Sequence, residues 1–242
     1  MQGLMHEYIQ NIKASGIVSA PFMIFHGPDY IGKSSFAVEI AQDLVGPFGY
    51  GDILHIKDLS HVTGKKHTLK VEAGDDIELD GGHKYEDLGA REIREWMSKT
   101  AMGEYKVLIL ENIERMTTSA ANAFLKYFEE PFPKTLIIAT TRNKSEIMDT
   151  ILSRALLIAF TYVSDDEVKI LFQKSFPETV DAKLHALVDL AAGRPGFVLT
   201  LMAKDKEMIG DLQDSILRFI ALHQHEVSIS AIFRLLTEMQ KK

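Results

Sequence analysis

Apolar residues along the chain fall into two kinds of run. Five short stretches are apolar and β-rich: 22–26 (FMIFH), 52–56 (DILHI), 107–110 (VLIL), 136–140 (LIIAT) and 156–160 (LLIAF). Three of them are almost continuously apolar, which predicts strands buried on both faces of a parallel sheet, since a strand with one wet face alternates instead. Helical spacing lies between them. Residues 34–45 place Phe36, Ala37, Ile40, Ala41 and Leu44 on one face, and residues 117–130 do the same with Ala120, Ala121, Phe124, Leu125 and Phe128. Thr117 or Thr118 can cap the second helix, and Pro131 forces the residue before it out of helical geometry. Strands alternating with helices predict an α/β fold, a five-stranded parallel sheet with helices on both faces.

After residue 160 the strand signals stop. Residues 165–176, 181–192, 195–205, 210–224 and 228–242 read as helices only, so a domain boundary falls near 161–165. The sharpest punctuation in this half is Gly193-Arg194-Pro195-Gly196. The expected organisation is a nucleotide-binding-type domain over 1–162, a small all-α lid over 163–204, and further helices over 205–242.

Composition narrows the function. With 242 residues and 46% hydrophobic content, the chain can build its own core. Its net charge of −7 is local: residues 72–87 hold seven acids against one base, so the remainder sums to −1 and a basic nucleic-acid-coating protein is excluded. The absence of cysteine removes disulfides, thiol catalysis and cysteine-based zinc or iron–sulfur sites. Neither a signal peptide nor a membrane span of about 18 apolar residues is found, so a soluble cytoplasmic chain is expected. Asp76, Glu78, Asp80, Gly81 and Asp87 imitate a calcium loop, but the twelfth position lacks the bidentate Glu and no helical pattern precedes it; an acidic loop or hairpin is favoured. The histidines show no metal-binding spacing.

The sharpest motif is Gly27-Pro28-Asp29-Tyr30-Ile31-Gly32-Lys33-Ser34, a complete GxxxxGK(S/T) loop between a predicted strand and a predicted helix. Glycines let such a loop wrap phosphates, Lys33 can reach the β and γ phosphates, and Ser34 can bind Mg²⁺. Gly27, Gly32, Lys33, Ser34 and Ser35 are the nucleotide-binding candidates here. A hydrolysing enzyme also needs an acid at the end of a second strand, commonly followed by a glutamate that polarises water. This chain has Glu111-Asn112 there. Glu111 keeps a carboxylate and is the second Mg²⁺ candidate, whereas Asn112 has no basic oxygen, so catalysis is the damaged function.

Residues 106–131 (KVLILENIERMTTSAANAFLKYFEEP) and 136–160 (LIIATTRNKSEIMDTILSRALLIAF) resemble the AAA+ module of bacterial DNA polymerase III clamp-loader subunits, where an AANALLKTLEEPP stretch precedes a sensor strand and an SRC motif. Active gamma or tau subunits carry Asp-Glu where Glu111-Asn112 stand, and an arginine in a lid GSxR motif whose position falls on Gly196. The run AGRPG looks instead like that of the delta-prime subunit. The resemblance implies a delta-prime-like subunit of the polymerase holoenzyme with little or no ATPase activity, which assembles with gamma or tau and delta subunits to open a sliding clamp and load it on primed DNA. It implies ATP and Mg²⁺ as the ligands of the P-loop, without the family's four-cysteine zinc module.

The resemblance also assigns Arg154, in Ser153-Arg154-Ala155, as a finger reaching a neighbouring subunit's ATP, with a structural arginine capping or bridging near Thr150 as the alternative, and Thr141 or Thr140 as the γ-phosphate sensor, with an ordinary structural role at the strand end almost equally favoured. A fixed guanidinium suits the first role by its forked donors and its charge. Arg91 and Arg94 match a helix near DNA, with a solvated helix face the favoured alternative. Residues 205–242 correspond to the start of a collar. The alternative is an active gamma- or tau-type ATPase in which Glu111 serves Mg²⁺ and another side chain positions water.

Overall fold

A computed structural model describes residues 2–47, 49–57, 59, 90–175 and 181–204. The chain divides into two units, Met1–Pro28 with Gly32–Thr161, and Asp29–Ile31 with Tyr162–Lys242.

The first unit runs α1 (Gln2–Ser15), β1 (Phe22–His26), α2 (Lys33–Val45), β2 (Ile53–Ile56), α3 (Ala90–Ser98), β3 (Lys106–Leu110), α4 (Thr118–Glu129), β4 (Thr135–Thr141), α5 (Asp149–Leu152) and β5 (Leu156–Ala159). The five strands form one parallel sheet in the order β2-β3-β4-β1-β5. Alternation along each strand feeds two separate cores. Met23, Phe25, Val107, Ile109, Leu136 and Ile138 pack with Ile9 and Ile12 of α1 and Ala37, Ile40 and Leu44 of α2. Phe22, Ile24, Leu108, Leu110, Ile137 and Ala139 pack on the other face with Ile93, Trp96, Phe124, Phe128 and Ile151. Phe22 stacks on Phe128 with ring centroids 4.1 Å apart. Every residue of β3 and β4 is buried, as their unbroken apolar runs predict.

Thr117 caps α4: its hydroxyl accepts from the Ala120 N–H at 3.2 Å, and the helix ends at Glu129, two residues before Pro131. Two of the apolar runs behave differently from the rest. β5 is apolar, yet Leu156 and Leu157 are 47% and 38% exposed, because among the described residues this strand pairs only with β1 and lies at the sheet edge. Asp52 does not begin β2 but closes a short 3₁₀ turn (Tyr50–Asp52). Its buried carboxylate accepts the N–H groups of Met102 and Gly103 at 2.9 and 2.6 Å, tying the turn before β2 to the loop before β3.

The second unit contains α6 (Asp165–Ser175), α7 (Asp181–Ala191) and α8 (Pro195–Lys204) around Val168, Phe172, Leu184, Leu187, Val188, Ala191 and Val198. A capping box opens α6. The Ser164 hydroxyl and N–H donate to Glu167 Oε2 at 2.7 and 3.2 Å, and the Glu167 N–H donates back to the hydroxyl at 3.4 Å. Gly193 at φ 71° follows the end of α7, and Pro195 starts α8. Residues 29–31 belong to this unit because the Gly196 N–H donates to Tyr30 O at 2.9 Å and the Tyr30 ring meets Phe197 edge-on at 5.7 Å. The acidic stretch 72–87 with its calcium-like frame and the helical patterns of 210–242 lie outside the described residues.

Replacing Asp52 with alanine removes the buried carboxylate that accepts two backbone N–H groups, so Asp52→Ala should destabilise the protein by about 2 kcal/mol. Urea denaturation followed by circular dichroism measures it. A midpoint unchanged from wild type would show that this tie carries no stability.

Candidate functional site: a P-loop crest and a remote arginine

Parallel register brings the carboxyl ends of the central strands to one crest. His26 at the end of β1 lies opposite Thr141 at the end of β4, and Leu110, just before Glu111, lies opposite Ala139. Ligands of open α/β sheets bind at such crests. The sequence-predicted residues Gly27, Gly32, Lys33, Ser34, Ser35, Glu111 and Thr141 all follow or end these strands, so one edge of the sheet collects them.

The P-loop takes left-handed backbone at Gly27 (φ 147°), Tyr30 (φ 64°) and Gly32 (φ 95°). Gly32 immediately precedes α2, whose first-turn N–H groups have no partner within the helix and supply positive potential. Lys33 is buried and folds back on its own loop, donating to Gly27 O at 2.8 Å and Pro28 O at 2.7 Å. His26 feels this charge. Burial first, then Lys144 and Lys33, hold its imidazole below the usual histidine range. Neither His26 nor Lys144 was singled out from sequence, because only tertiary register places them beside Lys33.

Glu111 departs from a simple metal ligand. Its Oε1 lies 2.6 Å from His55 Nε2 on the adjacent strand β2, with both side chains about one-fifth exposed (19% and 20%). The extra methylene of Glu over Asp lets the carboxylate reach sideways to this neighbour. The period-two alternation of residues 52–56 was the available signal: it turns His55 away from buried Leu54 and Ile56. Asn112 sits in the left-handed region at φ 54°, which asparagine tolerates, and its N–H donates to Thr140 Oγ1 at 3.2 Å. Thr141 is fully buried, and its hydroxyl donates to Asn143 O and accepts from the Asn143 N–H, both at 3.2 Å.

In the second unit, Gly196 has no room for a side chain. A Cβ there would lie 2.7 Å from Tyr30 O, so a residue of any other type requires backbone movement.

Arg154 is elsewhere. It precedes β5, and Leu156 pairs with Met23 near the start of β1, so Arg154 lies at the opposite end of the parallel sheet from its own P-loop. The three-residue rise from Met23 to His26 alone spans about 10 Å. Its Nε and Nη2 donate to Glu129 Oε2 at 3.3 and 3.1 Å, and Nη1 donates to Thr150 O at 2.7 Å and to Ser153 Oγ at 3.4 Å. Among the described residues, no helix is long and apolar enough to cross a membrane.

This arrangement is that of an α/β protein with a P-loop after the first strand of a parallel sheet. RuvB, the Holliday junction branch migration motor of Thermotoga maritima, shares the fold with a TM-score of 0.63 at 16% identity, over 91% of this chain and 67% of that one. Residues 50–164 match the sequence profile of the family described as DNA polymerase III, delta subunit. The chain is 36% identical over 69 residues to DNA polymerase III subunit delta' of Bacillus subtilis, covering 28% of this chain and 21% of that protein. It is 26% identical over 177 residues to the replication factor C small subunit of Haloarcula marismortui, covering 71% and 47%. The chain is thus similar in sequence to clamp-loader subunits of the delta' and replication factor C kinds. The chain spans less than half the length of either curated relative.

Because the folded chain holds His26 below 6.5, the unfolded chain takes up this proton first as pH falls. Stability should therefore drop as pH falls through 6.5 towards the depressed folded value, and His26→Gln should flatten that slope. Urea midpoints of both proteins between pH 7.5 and 5 test it; parallel curves would contradict it.

Proposed function

We propose that this protein is a delta-prime-like subunit of a clamp loader, which assembles in the cytoplasm with gamma- or tau-type and delta-type subunits to open a sliding clamp and load it on primed DNA. Its chemical contribution is Arg154, supplied to the ATP of a neighbouring subunit. The position of this side chain supports the reading: an arginine at the amino end of β5 is about a strand length away from its own P-loop, so a phosphate that it serves belongs to another molecule. A guanidinium so placed neutralises charge that develops on a transferring phosphoryl group.

The protein's own P-loop supports nucleotide binding with little turnover. Gly27, Gly32, Lys33, Ser34 and Ser35 would hold the phosphates, favoured by the N-terminus of α2 and by the positive charge of Lys144 and Lys33, which adds to burial in lowering the pKa of His26. Mg²⁺ fits less well. Ser34 offers its hydroxyl, but Glu111 spends one carboxylate oxygen on His55, and Asn112 cannot take a proton from water. When bound, the metal would supply charge neutralisation between phosphates. The glycine at 196 removes the lid arginine that active relatives use, and the contact with Tyr30 O leaves no space to restore it. An active gamma- or tau-type ATPase is the alternative, and the Glu111–His55 pair speaks against it.

Reconstitution with a gamma- or tau-type ATPase, a delta-type subunit and the clamp tests the reading. Arg154→Ala should lower DNA-stimulated ATP hydrolysis by at least about 100-fold, since an arginine finger is worth 10³–10⁵ in other systems. The isolated chain should turn over ATP well below about 1 s⁻¹. Undiminished stimulation with Arg154→Ala, or turnover by the chain alone at ordinary P-loop rates, would reverse the assignment.

A further inference from the structure

An arginine side chain carries about 2 kcal/mol of rotamer entropy, so a finger that works on an adjacent subunit gains from being held before that subunit arrives. We infer that Glu129, the last residue of α4, is the positioning residue for Arg154; this rests on the trans role proposed for that arginine.

The hydrogen bonds define which edge of the guanidinium is used. Nε and Nη2 form one forked edge, and both donate to the same oxygen of Glu129, Oε2, at 3.3 and 3.1 Å. Nη1 is fixed from the other side by Thr150 O at 2.7 Å, with Ser153 Oγ a longer contact at 3.4 Å. A guanidinium has five N–H groups, so one Nη2 hydrogen stays uncommitted, next to the Nη1 hydrogens on the far edge. That edge is the one a phosphate can take without displacing Glu129.

Two anchors on different elements set the plane: Glu129 closes α4, and Thr150 lies in α5. α4 is itself fixed by Phe124 and Phe128 in the core, so the carboxylate rides on a rigid element. The Glu129 side chain is 60% exposed and that of Arg154 30%, which places the pair at the surface where a neighbouring molecule can reach it. Exposed ion pairs contribute little to stability, about 0–1 kcal/mol. Orientation, rather than folding, is what this contact supplies.

The test uses the reconstituted loader with Glu129→Ala, Glu129→Gln, Arg154→Ala and the Glu129→Ala/Arg154→Ala pair, each full chain first checked for an unchanged thermal midpoint. Glu129→Ala should lower the DNA-stimulated kcat about tenfold, as expected for a misaligned catalytic group, with the KM for ATP unchanged within about twofold. Glu129→Gln keeps an acceptor oxygen and should recover most of the rate. In the Arg154→Ala background, Glu129→Ala should have no further effect. Three results overturn the inference: a Glu129→Ala rate equal to wild type, a faster rate, which would mean that Glu129 sequesters the arginine, or a loss that persists undiminished without Arg154. If Arg154→Ala alone leaves the rate unchanged, the trans-finger reading has failed instead, so the two failures are distinguishable.

Discussion

Parallel register in one small sheet governs everything else in the first unit. Because all five strands run the same way, every turn that follows a strand lies at one end of the sheet and every turn that precedes one lies at the other. The P-loop, Glu111 and Thr141 are of the first kind. Arg154 is of the second. Their separation is therefore a consequence of topology, and no side-chain adjustment could bring Arg154 to Lys33.

The crest has the backbone of a phosphate loop. Lys33 satisfies itself on Gly27 O and Pro28 O, and the left-handed residues of a phosphate loop are all in place. Beside it, Glu111 is engaged with His55, and Asn112 has no basic oxygen. At the opposite end of the sheet, polar contacts hold the cation of Arg154. Glu129 and Thr150 hold the guanidinium of Arg154 by its fork and by one Nη1 hydrogen.

Residue patterns carried most of the architecture because strand and helix periods are local properties. The unbroken runs of β3 and β4 could only be satisfied by burial on both faces, and Thr117 with Pro131 bracketed α4 within a residue. Where pattern misled, a longer-range cause is visible. Asp52 continues an apolar run in sequence, but its carboxylate finds two backbone donors fifty residues away. Leu156 and Leu157 read like core residues, yet an edge position leaves them half uncovered. Helix α1 went unread although Met5, Ile9 and Ile12 follow a helical spacing and are buried against α2.

By itself, then, the sequence determined the α/β class, the P-loop, the damaged second acid position and the candidacy of Arg154, because each is written in residues adjacent along the chain. Only the tertiary structure decided the partners: His55 for Glu111, Lys33 and Lys144 beside His26, Tyr30 O against Gly196, and Glu129 for Arg154. These pairs join residues 7 to 166 positions apart in the numbering. Hydrogen bonds and charge act over a few ångströms of space, and the folded path of the backbone alone brings such distant residues within that reach.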